Sequence, residues 1–117
     1  MNINSSKIGA RGESTATTYL TQRGYKIVEV NYIAGRLGEI DIIALSPQNE
    51  ITFVEVKTKT DNSRGSPLES ITWGKRKKLL RSANYFLNSN TYRNKYATNG
   101  VKFLGIGVQI SEANLII

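Results

Sequence analysis

The 117-residue chain contains neither cysteine nor histidine. The first absence removes disulfides, thiolate nucleophiles and thiolate ligands, and the second removes imidazole as base and as metal ligand. Ordinary zinc and copper sites are therefore excluded. A resident metal has to be a hard cation held by oxygens, which favours Mg²⁺ or Mn²⁺. Cysteine usage leaves the redox compartment open. No run approaches the roughly 18 apolar residues of a membrane span, and the N-terminal stretch lacks the apolar core of a secretory signal. A cytoplasmic protein without a membrane partner is expected. Acids are scarce too: nine Asp and Glu face sixteen Lys and Arg, for a formal net charge of +7. In a chain this small, such an excess suggests a polyanionic partner, nucleic acid and first of all DNA. Solubility alone is the alternative. The length fits one domain, residues 1–117, able to bury a real core.

A helix is expected from a cap at Ser5 or Ser6, because Ile8, Gly12, Ala16, Tyr19 and Leu20 recur at helical spacing and Gly24 is a natural stop. Glu13 falls on or beside that apolar stripe. On the helix alone, surface pairing with Arg11 or Lys7 is its simpler account. A strand follows over Tyr25–Tyr32, with a turn at Ala34–Arg36. Leu37–Leu45 and Ile51–Thr58 read as an antiparallel hairpin turning at Pro47, Gln48 and Asn49. A turn centred on Gln48 sets Asp41 opposite Glu55 and Glu39 opposite Lys57. Ile43, Ile51 and Phe53 continue that face; Ile40, Ile42, Ala44, Val54 and Val56 form the other.

Like charges opposed on a sheet, with Cβ atoms about 5 Å apart, destabilise it. Lys57 supplies a single positive charge, whereas a divalent ion can bridge two carboxylates from neighbouring strands. A ladder of exposed salt bridges is the alternative, and the apolar residues continuing the same face argue against it.

Beyond the hairpin, Ser66-Pro67-Leu68-Glu69 is a helix-start pattern, interrupted at Gly74. A longer helix to about Asn88 carries Leu79, Ala83, Phe86 and Leu87 as its core stripe. Its first turn is Lys75-Arg76-Lys77-Lys78, followed by Arg81. Each cation there opposes the helix dipole by about 0.3–1 kcal/mol, so phosphate contact explains the cluster better than helix stability does. A solvated basic face is the alternative. Ser89–Asn99 reads as a flexible loop, in which Tyr92, Arg93, Lys95 and Tyr96 are either ordinary loop residues, the favoured reading, or contacts to bases and phosphates. Val101–Ile110 is a strand, and Asn114–Ile117 suits a short edge strand. The order αβββαβ gives an α/β fold, a mixed central sheet flanked by helices.

The set Asp41, thirteen intervening residues, then Glu55-Val56-Lys57 resembles the PD-(D/E)xK nuclease signature, without the Pro of that name, since Ile40 precedes Asp41. With Gly12-Glu13, Ala16, Tyr19-Leu20, Gly24-Tyr25, Asn31, Gly38-Glu39-Ile40-Asp41, Phe53 to Thr58, Gly65-Ser66-Pro67, Lys75 and Ala83, the chain to about Leu87 resembles the YraN-like family of small bacterial proteins, which are similar to archaeal Holliday-junction resolvases. The resemblance implies a restriction-endonuclease-like architecture and a metal-dependent nuclease. Asp41, Glu55 and the Val56 backbone carbonyl match the groups that hold Mg²⁺ or Mn²⁺. Lys57 matches the lysine that orients or deprotonates the attacking water. Glu13 matches an acid reaching the site from the first helix, which reverses the preference above. Lys75, Arg76, Lys77, Lys78 and Arg81, with Arg64, are expected to seat the phosphate backbone. Glu39 stays outside the core set. Paired incisions imply a homodimer. Entering the last long strand, Lys102 and Phe103 follow the family pattern, but Leu104 stands where that pattern has an acid. The rival reading is a nucleic-acid-binding module of the same fold without catalysis. A two-carboxylate glycosidase is disfavoured by the charge and by Lys57.

Overall fold

The computed structural model describes residues 5–60 and 73–111. They form α1 (Ser5–Gln22), β1 (Lys26–Ile33), β2 (Glu39–Leu45), β3 (Glu50–Thr60), α2 (Trp73–Leu87), α3 (Asn90–Lys95) and β4 (Gly100–Ile110). The four strands make one sheet in the order β1-β2-β3-β4. β1, β2 and β3 run antiparallel in sequence, whereas β4 lies parallel to β3. Parallel neighbours need a long crossover, and α2 and α3 lie within it. The fold is a mixed α/β sheet with helices on both faces, the restriction-endonuclease-like arrangement.

α1 ends in a Schellman turn at Gly24: the Tyr25 N–H donates to the Leu20 carbonyl at 3.0 Å and the Gly24 N–H to the Thr21 carbonyl at 3.1 Å. Its apolar stripe, Ala16 and Leu20, is fully buried with Ile42, Ala44 and Val54; Val56, Leu104 and Ile106 pack around them. Gly12 brings the helix close to the sheet, because a Cβ there would overlap the Thr58 hydroxyl. The opposite face packs Ile40, Ile43, Ile51 and Phe53 against Ala83 and Phe86 of α2. The Phe86 ring meets Tyr32 at 5.2 Å and Phe53 at 5.9 Å, both edge to face, the arrangement ring quadrupoles favour.

Four expectations change. Ile40 belongs to the α2 side, whereas Ile42 belongs to the α1 side, although a regular strand keeps residues two apart on one face. The change of face falls where the pairing of β2 with β3 ends, at Ile42. Ser89–Asn99 is not a plain loop. Ser89 caps α3 by accepting from the Tyr92 N–H at 3.2 Å, and the Tyr92 ring packs on Phe86 at 5.6 Å, so the order is αβββααβ. Tyr92 is thus committed to the fold, with its hydroxyl bonded to Thr98. Gly74, expected as an interruption, lies inside the first turn of α2. The expected helix start at Ser66–Glu69, the edge strand at Asn114–Ile117 and Arg64 lie outside the described residues.

Candidate active site

The β2–β3 hairpin has the register expected for a turn at Gln48: Leu45 faces Ile51, Ala44 faces Thr52, Ile43 faces Phe53 and Ile42 faces Val54. There the ladder stops. At the next position, where Asp41 precedes Ile42 and Glu55 follows Val54, the Asp41 side chain takes over from the backbone. The Val56 N–H donates to Asp41 Oδ2 at 2.7 Å, a short charge-assisted bond. β2 begins at Glu39, just after Gly38, whose φ is 148° and where an added Cβ would lie 3.0 Å from Ser82 Oγ on α2.

Asp41, Glu55 and Lys57 are half-buried, and their charges act on one another. Burial pushes the Asp41 carboxyl above its ordinary value; the Val56 N–H opposes this, Glu39 adds to it, and Lys57 and Lys75 pull it back. Burial also raises Glu55, reinforced by Asp41 and opposed by Lys75 and Lys57. The Lys57 ammonium is pushed down, first by a side-chain hydrogen bond to Lys75, then by burial and by the Lys75 charge, against the pull of Glu55 and Asp41. α1 delivers the fourth group. Glu13 is raised by burial and by Asp41, steadied by a hydrogen bond from the Asn31 side chain, and raised again by Glu39. The charges of the sheet acids Asp41 and Glu39 reach Glu13.

The fold thus couples Asp41 of β2 to Glu55 and Lys57 of β3 and, across to α1, to Glu13. Glu13 and Lys57 line one cleft of about 370 Å³, with Val56 and Thr58. Glu55 opens onto another of about 350 Å³, with Arg76, Leu80 and Phe103. Of the basic residues, Lys75 reaches the acids electrostatically and Arg76 shares the Glu55 cleft. Lys77, Lys78 and Arg81 are exposed along α2, and Arg81 lines a separate groove with Leu37 and Tyr85. Glu39 is exposed but acts on both Asp41 and Glu13. Leu104 stands beside Val54 and packs into the α1-side core, so an apolar contact occupies the place of the expected acid. Sequence reasoning assigned no role to Asn31 and did not foresee that Lys75 meets Lys57. The signal available for Asn31 was an amide residue inside an otherwise β-forming run.

Among the described residues, no three Asp, Glu, His or Cys side chains gather closely enough to hold an ion between them. The donors on offer are two carboxylates on adjoining strands and the backbone carbonyl of Val56, with Glu13 beyond. An oxygen-only set of that size fits magnesium or manganese, which hold to one or two carboxylates and keep several waters. The raised acids fit it as well, since a cation would offset the repulsion that makes them hard to ionise.

Architecture and site define the class: a small α/β protein of restriction-endonuclease-like form, with acids of two adjoining strands and a helix converging near a lysine. The chain belongs to the uncharacterised protein family UPF0102, whose profile matches residues 12–108. It is 40% identical over 91 residues to a UPF0102 protein of Caldanaerobacter subterraneus, covering 78% of this chain and 73% of that one. It is 44% identical over 82 residues to a UPF0102 protein of Chlorobium phaeobacteroides, covering 70% of this chain and 64% of that one. With a UPF0102 protein of Clostridioides difficile it shares 42% identity over 92 residues, 79% of each chain.

Proposed function

We propose that this chain is a metal-dependent nuclease that hydrolyses phosphodiester bonds of DNA, branched or otherwise structured DNA in particular. The observation that carries the reading is the Asp41 carboxylate taking the Val56 N–H at 2.7 Å where the β2–β3 ladder ends, next to Glu55 and Lys57, with Asp41 and Glu55 held above their ordinary pKa and Lys57 below its own. Asp41, Glu55 and the Val56 carbonyl are the groups to hold Mg²⁺ or Mn²⁺, with Glu13 as a further acid. When bound, such an ion supplies Lewis acidity toward the phosphoryl oxygens and lowers the pKa of a coordinated water. The Val56 N–H fixes one oxygen of Asp41 and leaves the other for the site. Lys57, with its proton less tightly held, orients the attacking water and can accept its proton. Lys75, Arg76, Lys77, Lys78 and Arg81 lie along α2, with Arg64 earlier in the chain. They seat the phosphate backbone, which gives affinity without reading sequence. One site cuts one strand, so paired cuts call for two copies of the chain.

A second reading, a binding module of the same fold without catalysis, draws on two observations: no three-acid cluster among the described residues and an apolar Leu104 in the expected place of an acid. Incubation with linear, flapped and branched DNA, and with RNA, in Mg²⁺ or Mn²⁺ separates the two. The nuclease reading expects metal-dependent cutting that Asp41→Ala or Glu55→Ala abolishes. Tight DNA binding with no product at any metal concentration supports the module and defeats the nuclease; cleavage of RNA alone would move the substrate class. As to the membrane, no helix among the described residues is long and apolar enough to cross one.

A further inference from the structure

Lys78, Arg81 and Tyr85 stand three and four residues apart on α2 and so share one of its faces, and all three are exposed. The connection from β1 to β2 runs beside that face. A Cβ on Gly38 would lie 3.9 Å from Lys78 Cβ, and one on Gly35 would lie 3.6 Å from the Tyr85 ring. Two backbone bonds hold the connection in shape: the Ala34 N–H donates to the Gly38 carbonyl at 2.8 Å and the Leu37 N–H to the Ala34 carbonyl at 3.0 Å. A groove of about 570 Å³ opens there, with Leu37 on the side of the connection and Arg81, Asn84 and Tyr85 on the side of the helix. Leu37 is 42% and Tyr85 48% exposed, so a large apolar side chain and an open ring meet solvent beside a cation. Among the described residues, no acid lines the groove.

We propose that this groove seats an unpaired base of a DNA strand: Tyr85 stacks on the base, Leu37 packs against it, and Arg81 holds the adjoining phosphate. An aromatic face next to a cation, with no acid nearby, matches the flat base and charged phosphate that every nucleotide carries. Paired bases in an intact duplex are stacked on one another and offer no free face. The groove therefore narrows the structured DNA named above to DNA with a single-stranded segment. This rests on the reading of DNA as partner and is independent of cleavage. Leu37 stands four residues before Asp41, and four residues of chain span at most about 14 Å. A base held in the groove thus belongs to a strand that also passes close to the acids.

Fluorescence anisotropy of the full chain in EDTA reads binding without cutting, on a labelled oligo-dT strand, a blunt duplex and the same duplex with a single-stranded tail. The tailed duplex should bind more tightly than the blunt one. Tyr85→Ala should weaken binding of oligo-dT and of the tailed duplex by about 5- to 100-fold, the range that loss of a base-stacking ring produces, and leave the blunt duplex unaffected. Tyr85→Phe keeps the ring and should bind as the unsubstituted chain does. Arg81→Gln should make the salt dependence on oligo-dT shallower, by about 0.7 in log affinity against log salt for the phosphate it no longer holds. Unchanged oligo-dT affinity in Tyr85→Ala, or equal losses on all three probes, overturns the base subsite and leaves DNA binding standing. Absence of binding to every probe overturns the DNA reading, and the inference with it. Self-association that Tyr85→Ala abolishes in sedimentation without DNA would give the groove to a second copy of the chain and overturn the proposal as well. Should Tyr85→Ala fail to fold, Leu37→Asp decides, because it puts a negative charge on the exposed wall: it should weaken oligo-dT and spare the blunt duplex, and an equal effect on both refutes the subsite.

Discussion

Replacing Asp41 by asparagine and by alanine separates two jobs of one carboxylate. In the fold it accepts the Val56 N–H at 2.7 Å, just where the β2–β3 ladder ends; in the site it carries charge toward Glu55 and Glu13. Asparagine keeps an acceptor oxygen and drops the charge. Alanine drops both, leaving a half-buried N–H without its partner, which costs about 1–3 kcal/mol. Each substitution also relieves the burial and like-charge repulsion that raise the Asp41 carboxyl, so that gain cancels between them. Asp41→Asn should therefore be more stable than Asp41→Ala by about 1–3 kcal/mol. With urea m-values of about 1–3 kcal/mol per molar, the midpoints should differ by roughly 1 M in EDTA-containing buffer. Neither variant should cut DNA. Adding Mn²⁺ at 100 times its dissociation constant should stabilise the unsubstituted chain by about 2.7 kcal/mol, with little effect on Asp41→Asn at the same concentration. Equal midpoints for the two variants, or an Mn²⁺ response that survives in Asp41→Asn, would refute the reasoning.

Glu13, Asp41 and Glu55 are all raised in the folded chain, so what they contribute to stability is complete below their ordinary values of 4.5, 3.8 and 4.5 and is lost as pH rises through the raised ones. Between acidic and neutral pH, the metal-free chain should thus lose more stability than an Asp41→Asn/Glu55→Gln variant, as read by thermal unfolding in EDTA; parallel profiles would contradict the raised pKa values. Lys77 and Lys78 are exposed on α2. Their joint replacement by glutamine should make the fall of log affinity with log salt shallower, by about 0.9 for each phosphate that is no longer neutralised. Fluorescence anisotropy on duplex DNA at several salt concentrations reads this, and an unchanged slope would mean that this stretch of α2 does not touch the backbone.

The hairpin was the most legible part of the chain, because its determinants are local. Pro47, Gln48 and Asn49 locate the turn, and alternating Ile and Val residues lock the register that sets Asp41 near Glu55. α3 was hidden for the converse reason. Asn90-Thr91-Tyr92-Arg93-Asn94-Lys95 has weak intrinsic helix preference, and it is helical because Ser89 caps it and Tyr92 packs on Phe86. The side taken by Ile40 was misjudged since the period of two assumes a strand regularly paired throughout, and the pairing of β2 with β3 ends at Ile42, before Ile40 is reached.

By itself the sequence determined the chemistry available: no sulfur or imidazole ligands, a surplus of cations, and carboxylates placed in strands where only a compensating partner makes them tolerable. Side-chain identity and short-range spacing suffice for that. Which groups meet was decided by the tertiary structure alone. Glu13 and Asp41 lie on different elements, and they come within each other's field because Gly12 lets α1 settle against Thr58 of β3. Lys75 approaches Lys57 only once α2 packs on the sheet through Ala83 and Phe86. Meetings of that kind depend on how buried surfaces fit together, and no local pattern encodes the fit.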